Sequence, residues 1–550
     1  MIGTLILAFV PLLLFYLYRK LHYHRFTQFS PYPQPQPSLI WGHLKTIHEF
    51  TSKGEPERHI DEVLLEIKAH LNHPPLFVLD LRPIQYPLCV IGDHEVAEQI
   101  SRSSKEFPYS MTKSPTIKDL HSLIGMGSIL GANGEEWKTL RKRFNPGFAP
   151  QHLMTLLPQI VAMSRRFVET LDRHAKSGEE FRLDVPCINL TFDIIGAIVM
   201  DTDFRAQCAP HQQSEITQLF RDLVRGYPMP GGMSWDSINP WARLKRRWVT
   251  VRFDKYLRAH IEQKFADLRT TPTGGGKSSR SILALSLQDI ASLDDKVIAQ
   301  TSDQLKSFLF AGYDTTSIVL QWTFYELSRT PRALQAVRAE LAALFGSDPA
   351  PTVVWERLTA PGGEHLLNQM PYTSAVIKEV LRVHPPSGSA RLSAPDTGFT
   401  VQLPGGEALC LDGMVVYNCA TLIHRDEAVY GATKDVFRPE RWLDSSDHEK
   451  QEIPASAWRP FERGPRNCIG QELATLEVRV ILACTVRRYD VTKVGLGEAV
   501  RDEKGQPVMG AQGQFAVRSQ LFNTMQITAK PVDGTRVRIA FAAEGGAGSF

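Results

Sequence analysis

The first feature of the hydrophobic pattern is an uncharged run over residues 2–18, IGTLILAFVPLLLFYLY, closed at once by Arg19, Lys20 and then Arg25. As a helix it spans roughly 25 Å, within the range that crosses a bilayer. A secretory signal peptide starts with basic residues, whereas here the basic cluster follows the apolar run. The pattern therefore predicts a transmembrane anchor over residues 1–18, with a lumenal N-terminus and a cytosolic body. Residues 19–39 are basic and then proline-rich, with four prolines in the seven positions Pro31–Pro37. That density excludes helix and predicts a stiff, extended linker. From residue 40 to 550 there is no repeat and no second compositional break, as in a single large domain. Short β-type runs occur at Leu76–Leu81, Pro87–Ile91, Thr400–Leu403 and Val537–Phe541. Helical spacing of apolar residues covers Ile160–Leu171, Glu215–Val224, Asp303–Arg329 and Gln471–Val486. The fold class predicted is mainly α with small β-sheets.

Composition narrows the function classes. The chain of 550 residues has 62 Lys and Arg against 59 Asp and Glu, a net charge of +3 without a long basic run. That balance offers nothing to nucleic acid. With 43% hydrophobic and 22% charged residues, neither a multispan bundle nor a disordered chain fits. The seven cysteines are odd in number, scattered and without a CxxC pair, so neither a disulfide framework nor a structural zinc site is indicated. Thr270–Arg280 contains Gly276-Lys277-Ser278 but has Thr271 where a phosphate loop needs glycine, which makes it a helix connection. Of the histidines only His70 and His73 could share a metal, and no third ligand is nominated. Asn189-Leu190-Thr191 matches a glycosylation sequon and reads as ordinary helix.

The chemistry concentrates in the second half. Phe461-Glu-Arg-Gly464-Pro-Arg466-Asn-Cys468-Ile-Gly470 places a cysteine between a glycine-bearing turn and a helix start. Backbone N–H groups and the nearby Arg466 are expected to lower its pKa and present a thiolate. On physical grounds such a sulfur is a nucleophile or a metal ligand, and no spacing nominates a histidine base. Ala311-Gly312-Tyr313-Asp314-Thr315-Thr316 interrupts a strong helical run with poor helix formers, and such local rule-breaking marks functional sites. An isolated ExxR such as Glu379–Arg382 is ordinarily a surface ion pair.

Taken together, FxxGxRxCxG at 461–470, Glu379-Val-Leu-Arg382 with His384-Pro385-Pro386, Phe437-Arg-Pro439-Glu440-Arg441-Trp442 and the AGxDT stretch closely resemble the cytochrome P450 superfamily. The likeness covers roughly residues 40–545. It implies the P450 fold, haem b (iron protoporphyrin IX) as cofactor and Cys468 as axial ligand of the iron, with Phe461, Gly464 and Gly470 shaping the cysteine loop. It further implies a buried charge triad of Glu379, Arg382 and Arg441. Trp137 and Arg141 match the family's WxxxR motif and, with Arg391 and Arg466, are expected to hold the haem propionates. Asp314 would relay protons, and Thr315 would hold oxygen and water by hydrogen bonding.

By resemblance the reaction inserts one atom of O2 into a hydrophobic small molecule. An axial thiolate favours O–O cleavage. No dinucleotide or flavin motif is present, so electrons would come from NADPH through a separate flavoprotein, NADPH–cytochrome P450 reductase. The implied location is the endoplasmic reticulum membrane, single-pass, with the catalytic domain cytosolic. Lys138, Lys142 and Arg143 form a candidate reductase-docking cluster. The pocket is expected to draw on Pro108–Leu130, Phe308, Phe310–Thr316, Ser387–Ala390 and Gln520–Thr524. The wording ERGPRNCIGQELA is similar to that of fungal members that tailor polyketides and other secondary metabolites. Alternatives are a fatty-acid or sterol hydroxylase, a haem-thiolate isomerase or dehydratase that needs no external electrons, and a non-catalytic haem-binding protein. The intact Asp314-Thr315 pair disfavours the isomerase or dehydratase.

Overall fold

The computed structural model describes residues 2–227, 239–270, 280–443, 452–524 and 526–543. The phosphate-loop lookalike at 276–278 lies outside them. The chain divides into two compact units, one formed by residues 1–115, 388–434 and 451–467 and the other by 116–387, 435–450 and 468–550.

The first unit is built on a five-stranded sheet in the order 76–79, 88–91, 415–418, 389–392, 112–113. Leu88–Ile91 runs parallel to Val415–Asn418, and the other pairings are antiparallel. The two apolar runs predicted as strands are buried on both faces, which explains why they are continuous rather than alternating. Leu76, Val78, Cys89 and Ile91 pack with the helix His94–Ser101 and with the hairpin Thr400–Gln402/Ala408–Cys410. Phe77, Leu79 and Val90 pack against Val63, Leu64 and Ile67 of the helix Ile60–His70. Asp93 starts the first of these helices by accepting from the Glu95 and Val96 amides, both at 2.9 Å. The chain opens with the helix Ile2–His22. Among the described residues no helix is long and apolar enough to cross a membrane. Residues 25–37 lie on this unit: Arg25 is buried in an ion pair with Asp80 at 2.6 Å, and the Pro33 carbonyl accepts from Val78 N at 2.9 Å.

The second unit is mostly helical. Its spine is the helix Asp295–Arg329, capped by Asp294, whose side chain accepts from Val297 N at 2.8 Å. The helix runs unbroken through Ala311–Thr316 despite their poor propensity, because burial and tertiary contact override a few tenths of a kcal/mol per residue. Gly312 has a packing reason: a Cβ there would lie 2.7 Å from Ile195 Cδ1 of the helix Asp184–Ile195. Thr191 of that helix, the sequon threonine, donates to the Tyr313 carbonyl at 2.7 Å. Helices Leu157–Ser177, Glu215–Arg225 and Gln471–Thr485 realise predicted helical spacings, and the helix Pro371–Val383 carries Glu379 and Arg382. A three-stranded antiparallel sheet, 181–182, 536–541, 489–493, and the pair 523–524/530–531 complete the unit.

Candidate functional site

Cys468 lies immediately before the helix Gln471–Thr485. Its side chain is exposed, yet protein around the sulfur makes desolvation the largest influence on the thiol. Desolvation raises the thiol above its ordinary value, against a hydrogen bond from the Gly470 amide and the charge of Arg141, which lower it. The expected self-generated thiolate is therefore corrected, and the opposing cation is Arg141. A raised thiol is a poor nucleophile but a competent ligand, since a coordinating metal deprotonates it outright. Gly470 leaves open space on this side: an added Cβ would meet only the Cys468 sulfur, at 3.9 Å.

Arg141 and Trp137 stand one turn apart on the helix Gly134–Phe144, both on its inner side, with Trp137 buried. Burial pulls the Arg141 guanidinium down and Cys468 pulls it up. Arg143, expected as part of a docking cluster, is turned inward. It donates through Nε to the Ser286 carbonyl at 3.0 Å and through Nη2 to Thr301 Oγ1 at 2.8 Å.

In the first unit the strand register sets Lys113 directly opposite Arg391. Arg391 is fully buried, and its Nε, Nη1 and Nη2 have no hydrogen-bond partner among the described residues. Lys113 lies well below the ordinary lysine value, from desolvation first and then from the charges of Arg391 and Arg466, with Glu462 opposing. Its Nζ donates to Ser389 Oγ at 3.2 Å. Glu462 accepts from Arg459 Nε, Ser101 Oγ and Asn418 Nδ2, each at 3.1 Å. Burial would raise the Glu462 carboxyl, but Arg459, Arg391 and these donors bring it below the usual range. This carboxylate faces the charges of Arg459, Arg391 and Lys113, and Glu98 lies 3.7 Å from Arg459, so among the described residues these three cations outnumber the two carboxylates beside them. Leaving a buried donor unsatisfied costs about 1–3 kcal/mol, more when it is charged. Such a cluster suits a ligand with carboxylates, and two propionates meet that description. Gly464 is demanded by its turn: its φ is +74°, and a Cβ would lie 2.1 Å from the Ser101 carbonyl oxygen. Phe461 is half-buried with its ring 6.1 Å from that of Trp458.

Asp314 is buried, and its carboxylate is clamped by the turn that ends the chain's last hairpin. Thr528 Oγ1 donates to it, and Lys530 Nζ lies at 3.1 and 3.2 Å. Thr315 Oγ1 donates to the Ala311 carbonyl at 2.8 Å, which leaves its lone pairs free to accept. Ala311 is exposed and Thr315 partly so, four residues apart on one side of the helix. Phe308, expected in the pocket, is instead core, packed edge-on between Phe144 and Phe148 at 5.2 and 5.1 Å.

The triad is fully formed. Glu379 accepts from Arg382 Nε and Nη2 at 2.9 Å, from Arg441 Nε at 3.0 Å, from Trp442 Nε1 at 2.9 Å and from the Arg438 amide at 2.9 Å. Glu379 and Arg382 are completely buried. Lys113, Glu462, Thr528 and Lys530 are the site residues that sequence reasoning missed.

The cytochrome P450 family model matches residues 28–513. Cytochrome P450 monooxygenase acrF of Aspergillus aculeatus is 31% identical over 88% of this chain and 97% of its own length. Cytochrome P450 monooxygenase polC of Polytolypa hystricis is 28% identical over 86% and 84%, and human cytochrome P450 4V2 is 25% identical over 88% of each chain. Among solved structures, the cytochrome P450DA heme domain superposes with a TM-score of 0.70 at 19% identity, covering 93% of this chain and 98% of that one.

Proposed function

The chain belongs to the cytochrome P450 family and is a monooxygenase of it, and from that premise we propose that it oxidises an apolar small molecule of secondary, polyketide-like metabolism at a haem b held by Cys468. The observation that carries the cofactor reading is Arg391: a buried guanidinium with three unpartnered nitrogens, beside Lys113 and in a cluster of surplus positive charge. Haem, when bound, supplies the O2 activation and oxygen-insertion chemistry.

The chain's own residues divide the remaining work. The Gly470 amide and Arg141 favour the charged form of the Cys468 sulfur. Arg391, Lys113, Arg466, Arg141 and Trp137 hold carboxylates. Asp314 moves protons, and Thr315 accepts a hydrogen bond that fixes water beside the reacting atoms. The Lys530 clamp keeps Asp314 in place between turnovers. The substrate pocket draws on the Ala311–Thr315 face and the loops expected from the sequence, Phe308 excepted.

Electrons come from NADPH through a separate reductase. The chain sits in the endoplasmic reticulum membrane by its N-terminal helix, whose Phe9–Tyr18 side chains are 42–66% exposed and uncharged. The testing experiment is the ferrous carbon monoxide difference spectrum of the parent beside Cys468→Ala. A strongly red-shifted Soret band that disappears in the variant is expected. A folded parent without haem would refute the cofactor reading.

A further inference from the structure

Trp322 is a fully buried side chain of the helix Asp295–Arg329 that the proposed chemistry leaves unused. A buried indole must find an acceptor for its N–H, so tryptophan in place of phenylalanine gives a core position a direction as well as bulk. Here Nε1 donates to Asn523 Oδ1 at 3.0 Å, across 201 residues of sequence. The ring is held on its face as well: the His384 imidazole stacks on it with centroids 3.5 Å apart and planes 5° from parallel. His384 Nε2 lies 2.9 Å from Glu326 Oε1, and Glu326 stands one turn beyond Trp322 on the same helix. The other oxygen of Glu326 accepts from Gln514 Nε2 at 2.9 Å, and Gln514 also donates to Thr330 Oγ1 at 2.9 Å. Trp322, His384, Glu326, Gln514 and Thr330 are all buried, so a hydrogen-bonded frame sets the indole rather than shape alone.

What this frame holds is the hairpin that clamps Asp314. Across the antiparallel strands 523–524 and 530–531, Asn523 pairs with Pro531 and Thr524 with Lys530. Lys530 and Thr528 donate to the Asp314 carboxylate. The hairpin is therefore fastened to one helix at two points, Asp314 and Trp322, about 12 Å apart along the axis. A third fastening comes from the segment that carries His384, where the Pro386 carbonyl accepts from Ala529 N at 2.9 Å. Moving Asn523 moves its cross-strand neighbours, and a functional contact such as Lys530–Asp314 needs placement to about 0.5 Å. We infer that Trp322, held by His384 and Glu326, is a positioning residue for Asp314 that acts through Asn523 and the hairpin, a role that rests on the proton path proposed above for Asp314.

Trp322→Phe in the full-length, haem-loaded chain keeps a ring to stack on His384 and removes the N–H. Hydrogen exchange followed by mass spectrometry reads the hairpin directly. The Ala529 and Val532 amides, which donate to the Pro386 and Phe522 carbonyls, should exchange about fivefold faster, the factor expected for one lost hydrogen bond. Peroxide formed per NADPH consumed should move in the same sense as in Lys530→Met. The solvent deuterium isotope effect on NADPH consumption should shift with it, which lost packing alone would not produce. Asn523→Ala should reproduce these changes, and Trp322→Phe/Asn523→Ala should add little beyond the larger single effect. Parental exchange in Trp322→Phe would overturn the inference. So would a parental peroxide ratio in Trp322→Phe when Lys530→Met alters it. Parental ratios in both Lys530→Met and Thr315→Ala would instead remove the proton path itself, and this role with it.

Discussion

Glu379→Gln is the sharpest test of the charge triad, because it keeps shape and removes only charge and acceptors. The carboxylate accepts five hydrogen bonds, three at Oε1 and two at Oε2. An amide has one oxygen. With that oxygen at the Oε1 position, the new NH2 group faces the N–H groups of Arg382 Nε and Trp442 Nε1, two donors against two donors. The flipped amide is worse, with three conflicts. Meanwhile Arg382 and Arg441 lose the carboxylate of Glu379. Removing one member of a buried ion pair costs about 3–5 kcal/mol, a large part of the 5–15 kcal/mol that holds a typical fold. Urea unfolding followed by far-ultraviolet circular dichroism reads this directly. With a slope near about 3 kcal/mol/M, the midpoint should fall by about 1–2 M. A double variant, Glu379→Gln/Arg441→Met, should recover part of the loss because it removes one stranded cation. A single-variant loss under about 1 kcal/mol would refute the reasoning and make the triad a dispensable ion pair.

Two further perturbations address the proton path and the cation cluster. Thr315→Ala should keep the carbon monoxide spectrum while diverting oxygen into peroxide, measured as peroxide formed per NADPH consumed; Lys530→Met, which releases the Asp314 clamp, should change the same ratio, and parental ratios in both variants would remove Asp314 and Thr315 from the proton path. For Lys113 the sign follows from linkage. Its folded value lies well below the ordinary 10.5, so between the two values the unfolded chain binds more protons than the folded one. The haem-free parent should therefore gain stability as pH rises through that window, and lose it as pH falls. Lys113→Met should flatten the dependence; identical pH profiles for the two proteins would contradict the assigned burial.

How much was legible in the sequence follows from the range over which each feature is encoded. Glu379 and Arg382 could be read because three residues on a helix define a face, and Gly464 because a fixed turn geometry demands it. Lys113 could not. It lies 276 residues from its neighbour Ser389 and sits on a two-residue strand whose register alone sets it opposite Arg391. Thr528 and Lys530 reach Asp314 across 214 and 216 residues, with no local pattern to announce them. Arg143 was misplaced because its neighbour Lys142 suggested a shared basic patch. One residue on a helix turns a side chain by about 100°, toward a different wall. The acidity of Cys468 was misjudged for a different reason: nearby cations are visible in a sequence, but the desolvation that opposes them is not.

These electrostatics connect cofactor and fold. The Arg391 guanidinium makes no hydrogen bond among the described residues and carries a desolvation penalty, so an apolar side chain of its volume would serve the haem-free fold better. At the Cys468 thiol, likewise, desolvation outweighs the Gly470 amide and the Arg141 charge until a cation meets the sulfur. Under the proposed function, haem carboxylates would meet the cation cluster and haem iron would meet the cysteine. A ligand that completes buried charges binds the folded chain and not the unfolded one, and at a thousandfold excess over its Kd it adds about 4 kcal/mol of stability. Under the proposed function, the cation cluster and the cysteine are places where the chain gives up stability alone and regains it on loading, the expected signature of residues kept for a ligand rather than for the fold.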